Sequence, residues 1–144
     1  MSPQAIEKSF FVLDASVWVS RLVSQDGFHA AVKSWMEEKR EAGVQFISPA
    51  LLLAEVGGAI SRRTGDPVLA KKAITQLENL PGLRLVEMDN ELVRQAAKLA
   101  AELGLRGADS MYVAVARRLD LPLVTFDVDQ HQRAGERIGV QSIE

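Results

Sequence analysis

The chain has 144 residues, 47% of them hydrophobic and 25% charged, which suits one domain (1–144) with an ordinary core. It has no cysteine and only two histidines, His29 and His131. That excludes a disulfide scaffold, a thiol nucleophile and cysteine-ligated zinc, argues against a histidine-rich metal site, and fits a reducing cytoplasm. A net charge of −2, from 17 basic and 19 acidic residues, is not the footprint of a protein that coats nucleic acid non-specifically. No long uncharged apolar run predicts a membrane helix. Near the start, Glu7 and Lys8 cancel and Asp14 interrupts the early apolar stretch, so no signal peptide is expected.

The elements alternate between strand-like and helix-like runs. "FFVLDASVW" opens with a strand over 9–13 that ends in Asp14, followed by helices over 16–23 and 27–42, the second closed by Gly43. "VQFIS" (44–48) reads as a second strand. "SPALLLAEVGGAISRR" reads as a helix over 48–63, with Ser48 as N-cap and Pro49 in the first helical position. Asp66-Pro67 repeats that start signal for a helix to about Leu80, and Pro81-Gly82 breaks the chain. A strand over 83–88 precedes Asp89, which caps a helix over 90–103 ended by Gly104. A helix over 108–119 and a strand over 121–127, again finishing on an acid, follow; "RIGVQSI" adds an edge strand. This order predicts an α/β fold with a mostly parallel sheet.

In such sheets ligands bind beyond the carboxyl ends of the strands, where Asp14 and Asp127 fall. Each has a plain structural reading as well. Asp14 can cap the helix near Ser16, and Asp127 can be a turn residue. Glu55 lies in "LLLAEVGGAI", near an apolar stripe formed by Leu51, Leu52, Ala59 and Ile60, with neither Arg62 nor Arg63 at an i+3 or i+4 offset to pair with it. Asp109 starts the helix in "RGADSMYVAVA", where the helix dipole alone favours an acid by roughly 0.3–1 kcal/mol. If the four converge, they need a cation among them, because close carboxylates raise each other's pKa. Mg²⁺ or Mn²⁺ takes oxygen ligands of this kind. One such ion, or two roughly 3.5–4 Å apart, would suit phosphodiester hydrolysis without a protein nucleophile.

From "VLDASVWV" to "LVTFDVDQ" the chain resembles the PIN domain, and within it the small VapC-like toxins of toxin–antitoxin pairs. Four stations come in family order: Asp14 with Ser16 nearby, Glu55, Asp109, and Asp127 in "LVTFD". The resemblance implies a three-layer α/β/α PIN-like fold and a metal-dependent endoribonuclease acting on RNA. Asp14, Glu55, Asp109 and Asp127 would be its metal-site acids, and Ser16 and Thr125 the hydroxyls that orient them. It further implies a homodimer silenced by a cognate antitoxin. In "DVD", Asp129 is a second acid, read either as a ligand or as the cap of a short helix in "DQHQRAGER".

Other residues have plainer readings. Gly57-Gly58 inside a helix costs about 1 kcal/mol per glycine, which close packing would explain; no phosphate-loop motif is present. Trp18 and Trp35 read as core or dimer interface rather than base-stacking platforms. Arg62, Arg63, Arg106, Arg117, Arg118 and Arg133 are candidates either for phosphate contacts or for solvated surface charge. Among other functions, a non-catalytic PIN interaction module is the chief alternative. A receiver-type phosphoacceptor lacks its lysine after the last strand, and a haloacid-dehalogenase-type phosphatase lacks a second acid in Asp14-Ala15-Ser16.

Overall fold

The computed structural model describes residues 9–143. Five strands form one sheet: β1 (Phe10–Leu13), β2 (Gln45–Pro49), β3 (Leu83–Val86), β4 (Leu123–Val124) and β5 (Val140–Gln141). All pair in parallel, in the order β3-β2-β1-β4-β5. The helices are α1 (Ala15–Leu22), α2 (His29–Glu41), α3 (Leu52–Thr64), α4 (Pro67–Glu78), α5 (Asn90–Leu103), α6 (Gly107–Leu119) and α7 (Val128–Ala134). The result is the three-layer α/β/α arrangement the sequence predicts. No described helix is long and apolar enough to cross a membrane.

The inner strands are apolar because helices cover both faces of a parallel sheet. Val12, Leu13, Leu123 and Val124 are fully buried. An aromatic stack anchors one layer. Trp35 lies over Phe11 and Phe46 at 5.9 Å from each, and Trp18 meets Phe46 edge-on at 6.0 Å. Both tryptophans are therefore core residues. Gly57 allows α3 and α4 to approach closely: a Cβ there would stand 2.7 Å from Ile74 Cδ1. Asp66 accepts from Val68 N and Leu69 N, and Asp89 from Leu92 N, as their capping positions require.

Several predicted boundaries shift by a few residues, two of them for identifiable reasons. Ser48 does not cap α3, nor does Pro49 open it. Both stay in β2, paired with Leu85 and Val86, and the helix starts at Leu52. The buried Ser48 hydroxyl is committed elsewhere, donating to Leu13 O and accepting from Trp18 Nε1 at 3.3 Å. The predicted strand over 121–127 shrinks to two residues. From Thr125 onward the amides turn to side chains of the site instead of the ladder: Phe126 N donates to Ser16 Oγ at 3.2 Å and Asp127 N to Thr125 Oγ1 at 3.0 Å.

Strand order reverses between β1 and β4, each of which leads into a different half of the sheet. At such a switch point the loops leave in opposite directions and open a crevice beyond the strand ends. Asp14 follows β1 and Asp127 closes the loop after β4, so the topology sets these two acids at the crevice.

Candidate metal centre

Asp14 lies at the start of α1 but makes no side-chain cap bond to it. Its carboxylate is only 5% exposed. Oδ2 accepts from Ser16 Oγ at 2.9 Å and from Thr125 Oγ1 at 2.6 Å. Each hydroxyl in turn accepts a backbone amide of the loop after β4, Phe126 N on Ser16 and Asp127 N on Thr125. Two parallel relays therefore run from one loop into one carboxylate oxygen, and each N–H aligns its hydroxyl so that the proton faces Asp14. Burial pushes the Asp14 carboxyl above the ordinary range, the hydroxyl bonds of Thr125 and Ser16 oppose it, and the charge of Asp109 adds to it.

Glu55 is half-buried on α3. Its partner is Tyr112, whose hydroxyl donates to Oε1 at 2.5 Å from the facing helix α6. Burial raises the Glu55 carboxyl, and the charges of Asp14 and Asp109 raise it further. Burial and the bond to Glu55 push the Tyr112 phenol far above its usual value, which keeps it a neutral donor. Tyr112→Phe leaves a half-buried carboxylate one donor short. It is expected to destabilise the protein by about 1–3 kcal/mol, since hydrogen bonds to charged groups are the costlier ones to lose; urea unfolding at neutral pH measures it.

Asp109 sits in the first turn of α6, whose next residues, from Ser110 to Ala116, are all buried. Its side chain is 15% exposed and accepts from Arg106 Nε at 2.8 Å. The same guanidinium donates through Nη2 to Asp127 Oδ2 at 2.5 Å. Arg106 thus stands between two of the acids, although its own side chain is 76% exposed. Asp127 also N-caps α7 by accepting from Gln130 N at 3.0 Å. Asp129, by contrast, lies in the first turn of α7, 68% exposed and paired with Arg133 at 2.8 Å. The cap belongs to Asp127, while Asp129 pairs with Arg133 and adds its charge to that of Asp109 and Asp127 on Arg106.

The fold therefore brings Asp14, Glu55 and Asp109 within reach of one another's charge, and ties Asp127 to Asp109 through Arg106. Among the described residues, no group of three or more histidines, cysteines or acids stands in an arrangement that holds a metal ion. In this arrangement the guanidinium supplies the local positive charge. The donor set itself is all carboxylate, the chemistry hard divalent cations select.

Sequence reasoning missed two members of the site. Tyr112 is the chain's single tyrosine, three residues after Asp109 on the same helix face, a signal that was available. Gln130 is buried; its Nε2 donates to Asp109 O at 3.2 Å, and it contacts Thr125 Oγ1 at 3.3 Å, bracing α6 against α7. Nothing local in the sequence marks it.

No curated protein matches the chain. Solved structures do. The VapC20 toxin of Mycobacterium tuberculosis, described as cleaving the sarcin-ricin loop, superposes with a TM-score of 0.72 at 23% identity, over 85% of this chain and 92% of that one. VapBC2 of Rickettsia felis, bound to a DNA fragment from its promoter, gives 0.72 at 13% identity, over 94% and 99%. VapBC-5 of Mycobacterium tuberculosis, a member of the VapBC family of toxin–antitoxin systems, gives 0.56 at 22% identity, over 94% and 98%. The PIN domain family model matches residues 11–136, from the second residue of β1 to two residues past the end of α7, and the chain belongs to that family.

Proposed function

We propose that the chain is a divalent-metal-dependent endoribonuclease, the toxin of a cytoplasmic toxin–antitoxin pair, acting as a homodimer and restrained by a cognate antitoxin. Asp14, Glu55, Asp109 and Asp127 would hold Mg²⁺ or Mn²⁺. What supports this reading is that Asp14, Glu55 and Asp109, from three elements, lie within reach of one another's charge, with Asp127 linked to Asp109 through Arg106, and that Asp14 and Glu55 are pushed up by burial and by neighbouring negative charge. A fold that spends buried carboxylates in this way needs a cation to keep them ionised together. Bound there, the ion would supply an activated water and neutralise charge on the scissile phosphate.

The chain's own residues then have distinct roles. Ser16 and Thr125 fix the Asp14 carboxylate by accepting backbone amides and donating to Oδ2. Tyr112 holds Glu55, and its hydrogen bond opposes the upward push of burial on that carboxyl. Gln130 ties the start of α6 to that of α7, so that Asp109 and Asp127 keep their relation. Arg106 pairs with Asp109 and Asp127; with a divalent ion held by those acids, its guanidinium would be free for a phosphate oxygen. Ser16→Ala and Thr125→Val are each expected to weaken Mn²⁺ binding or cleavage about 10- to 100-fold, the usual cost of losing a group that orients a metal ligand. Titration calorimetry and initial rates at fixed Mn²⁺ measure the two effects.

The Arg106 bridge also favours the second reading, a non-catalytic PIN module whose acids are neutralised by their own arginine. Purified protein incubated with mixed structured RNA, in Mg²⁺ or Mn²⁺ against EDTA, separates the two. Cleavage that needs the metal supports the nuclease. Absence of both cleavage and Mn²⁺ binding supports the module.

A further inference from the structure

Beside the acids, between α1, α3 and the loop after β4, lies a cleft of about 330 Å³ whose wall includes Ser16, Glu55, Phe28, Phe126, Asp26 and Arg62. Ser16 and Glu55 are shared with the carboxylate cluster, so the cleft runs directly out of it. Phe28 stacks on Phe126 with ring centroids 4.7 Å apart and planes inclined by 19°. Phe126 immediately precedes Asp127. Phe28 is nonetheless 56% exposed: one ring face covers Phe126 and the other faces solvent.

Phe28 ends the loop between α1 and α2, at the N-cap position of α2. Here the loop is tied down. Asp26 accepts from Phe28 N at 2.9 Å and, through its other oxygen, pairs with Arg63 of α3 at 2.9 Å. At the loop's end, His29 Nδ1 donates to Ser20 O at 3.0 Å. The ring is preorganised, and its entropy cost is met before any ligand arrives. Arg63 is occupied by Asp26, but Arg62 is exposed and has no ion-pair partner among the described residues. Its guanidinium lies back along α3 over Gly58, where a Cβ would stand 3.1 Å from Nη1. That places it on the same helix face as Glu55, two turns on. Close packing of helices explains Gly57; room for the Arg62 side chain explains Gly58.

A flat aromatic face, a free guanidinium and a run of acids one step away match an unpaired nucleotide better than a duplex, in which base faces are hidden. We propose that this cleft seats an unpaired RNA base on the open face of Phe28, with Arg62 on the adjoining backbone phosphate, so that the next phosphate lies at the acid cluster. The proposal rests on the ribonuclease reading above, and makes the enzyme selective for single-stranded segments without fixing a base identity.

The test uses the Asp14→Asn protein, expected to bind without cutting, and a fluorescein-labelled single-stranded RNA oligonucleotide against a duplex of the same sequence. Adding Phe28→Ala is expected to weaken single-strand binding about 5- to 150-fold, the range for loss of one base-stacking side chain, and to leave the weak duplex binding unchanged. Phe28→Trp should restore it. In the otherwise unaltered protein, Phe28→Ala should raise KM more than it lowers kcat, and the Mn²⁺-induced melting shift should persist, which shows that the acid site is intact. Equal single-strand affinity with and without Phe28 overturns the proposal, also where Phe28→Ala proves to weaken binding of a protein partner instead. Loss on both RNAs alike overturns it too. Failure of the unaltered protein to cleave RNA and of Asp14→Asn to bind it would overturn the ribonuclease reading itself, and this proposal with it.

Discussion

Asp14→Asn is expected to reduce RNA cleavage by more than about 100-fold, since even groups that only orient a metal ligand are worth about 10- to 100-fold, and yet to make the metal-free protein more stable at neutral pH. The substitution is nearly isosteric. An amide oxygen still accepts from Ser16 and Thr125, so the two relays survive. What disappears is a buried negative charge. The native Asp14 carboxyl sits above its ordinary 3.8, first through burial and then through Asp109, so the native state binds its proton more tightly than the unfolded chain does. Stability therefore falls as pH rises from the unfolded value through the native one, and the penalty is complete above both. Below about pH 3.8 both states are protonated and the penalty vanishes. The wild-type protein in EDTA should accordingly melt lower than Asp14→Asn at pH 7, with the gap closing on acidification. Thermal melts across pH, in EDTA, measure this. A variant that is fully active at the wild-type metal concentration would sink the proposed mechanism. A variant that is inactive but less stable at every pH would mean that Asp14 is a structural acid satisfied by its hydroxyls.

The four acids were legible in the sequence because each stands where one-dimensional signals are strongest. Asp14 and Asp127 end apolar runs, Asp109 stands at the start of an apolar helix, and Glu55 interrupts an apolar stripe. Alternation of strand and helix patterns gave the layers and the parallel sheet, since covered parallel strands must be apolar throughout. Capping chemistry marked α4 and α5 through Asp66 and Asp89. The same chemistry misled at Ser48-Pro49. Serine before proline is a helix-start signal only when the hydroxyl is free, and here Trp18 and Leu13, 30 and 35 residues distant in the chain, claim it.

What the sequence hid shares a physical character. Tyr112 meets Glu55 across 57 residues, Thr125 meets Asp14 across 111, and Arg106 reaches Asp127 across 21. Thr125 was found only through its family position. Phe28 reads as an ordinary loop aromatic until the fold lays it against Phe126. Side chains that act by completing another residue's hydrogen bonds have no periodicity of their own. Their positions follow from the tertiary contact, as Gln130 bracing Asp109 O illustrates.

Arg106 sets the second large expectation. Mn²⁺ should raise the melting temperature of the wild-type protein, and should raise that of Arg106→Gln further at the same concentration. A ligand that binds only the native state adds about 2.7 kcal/mol at 100 times its Kd, which for a domain of this size corresponds to about 5–10 °C. In the wild type the ion must first displace a guanidinium that already bridges Asp109 and Asp127. Such exposed pairs contribute at most about 1 kcal/mol each, so the metal-free variant should lose little stability, and the repulsion left between the two acids makes it the better host for a cation. Its Mn²⁺ Kd should fall several-fold in a calorimetric titration, while its cleavage rate falls because a phosphate contact is gone. The opposite movement of affinity and rate distinguishes a displaceable counter-ion from a residue that shapes the site. Weaker Mn²⁺ binding in Arg106→Gln would assign Arg106 to holding the acids in place. No melting shift in either protein at millimolar Mn²⁺ would leave the guanidinium as the only cation the cluster accepts, and with it the non-catalytic module as the better account of this chain.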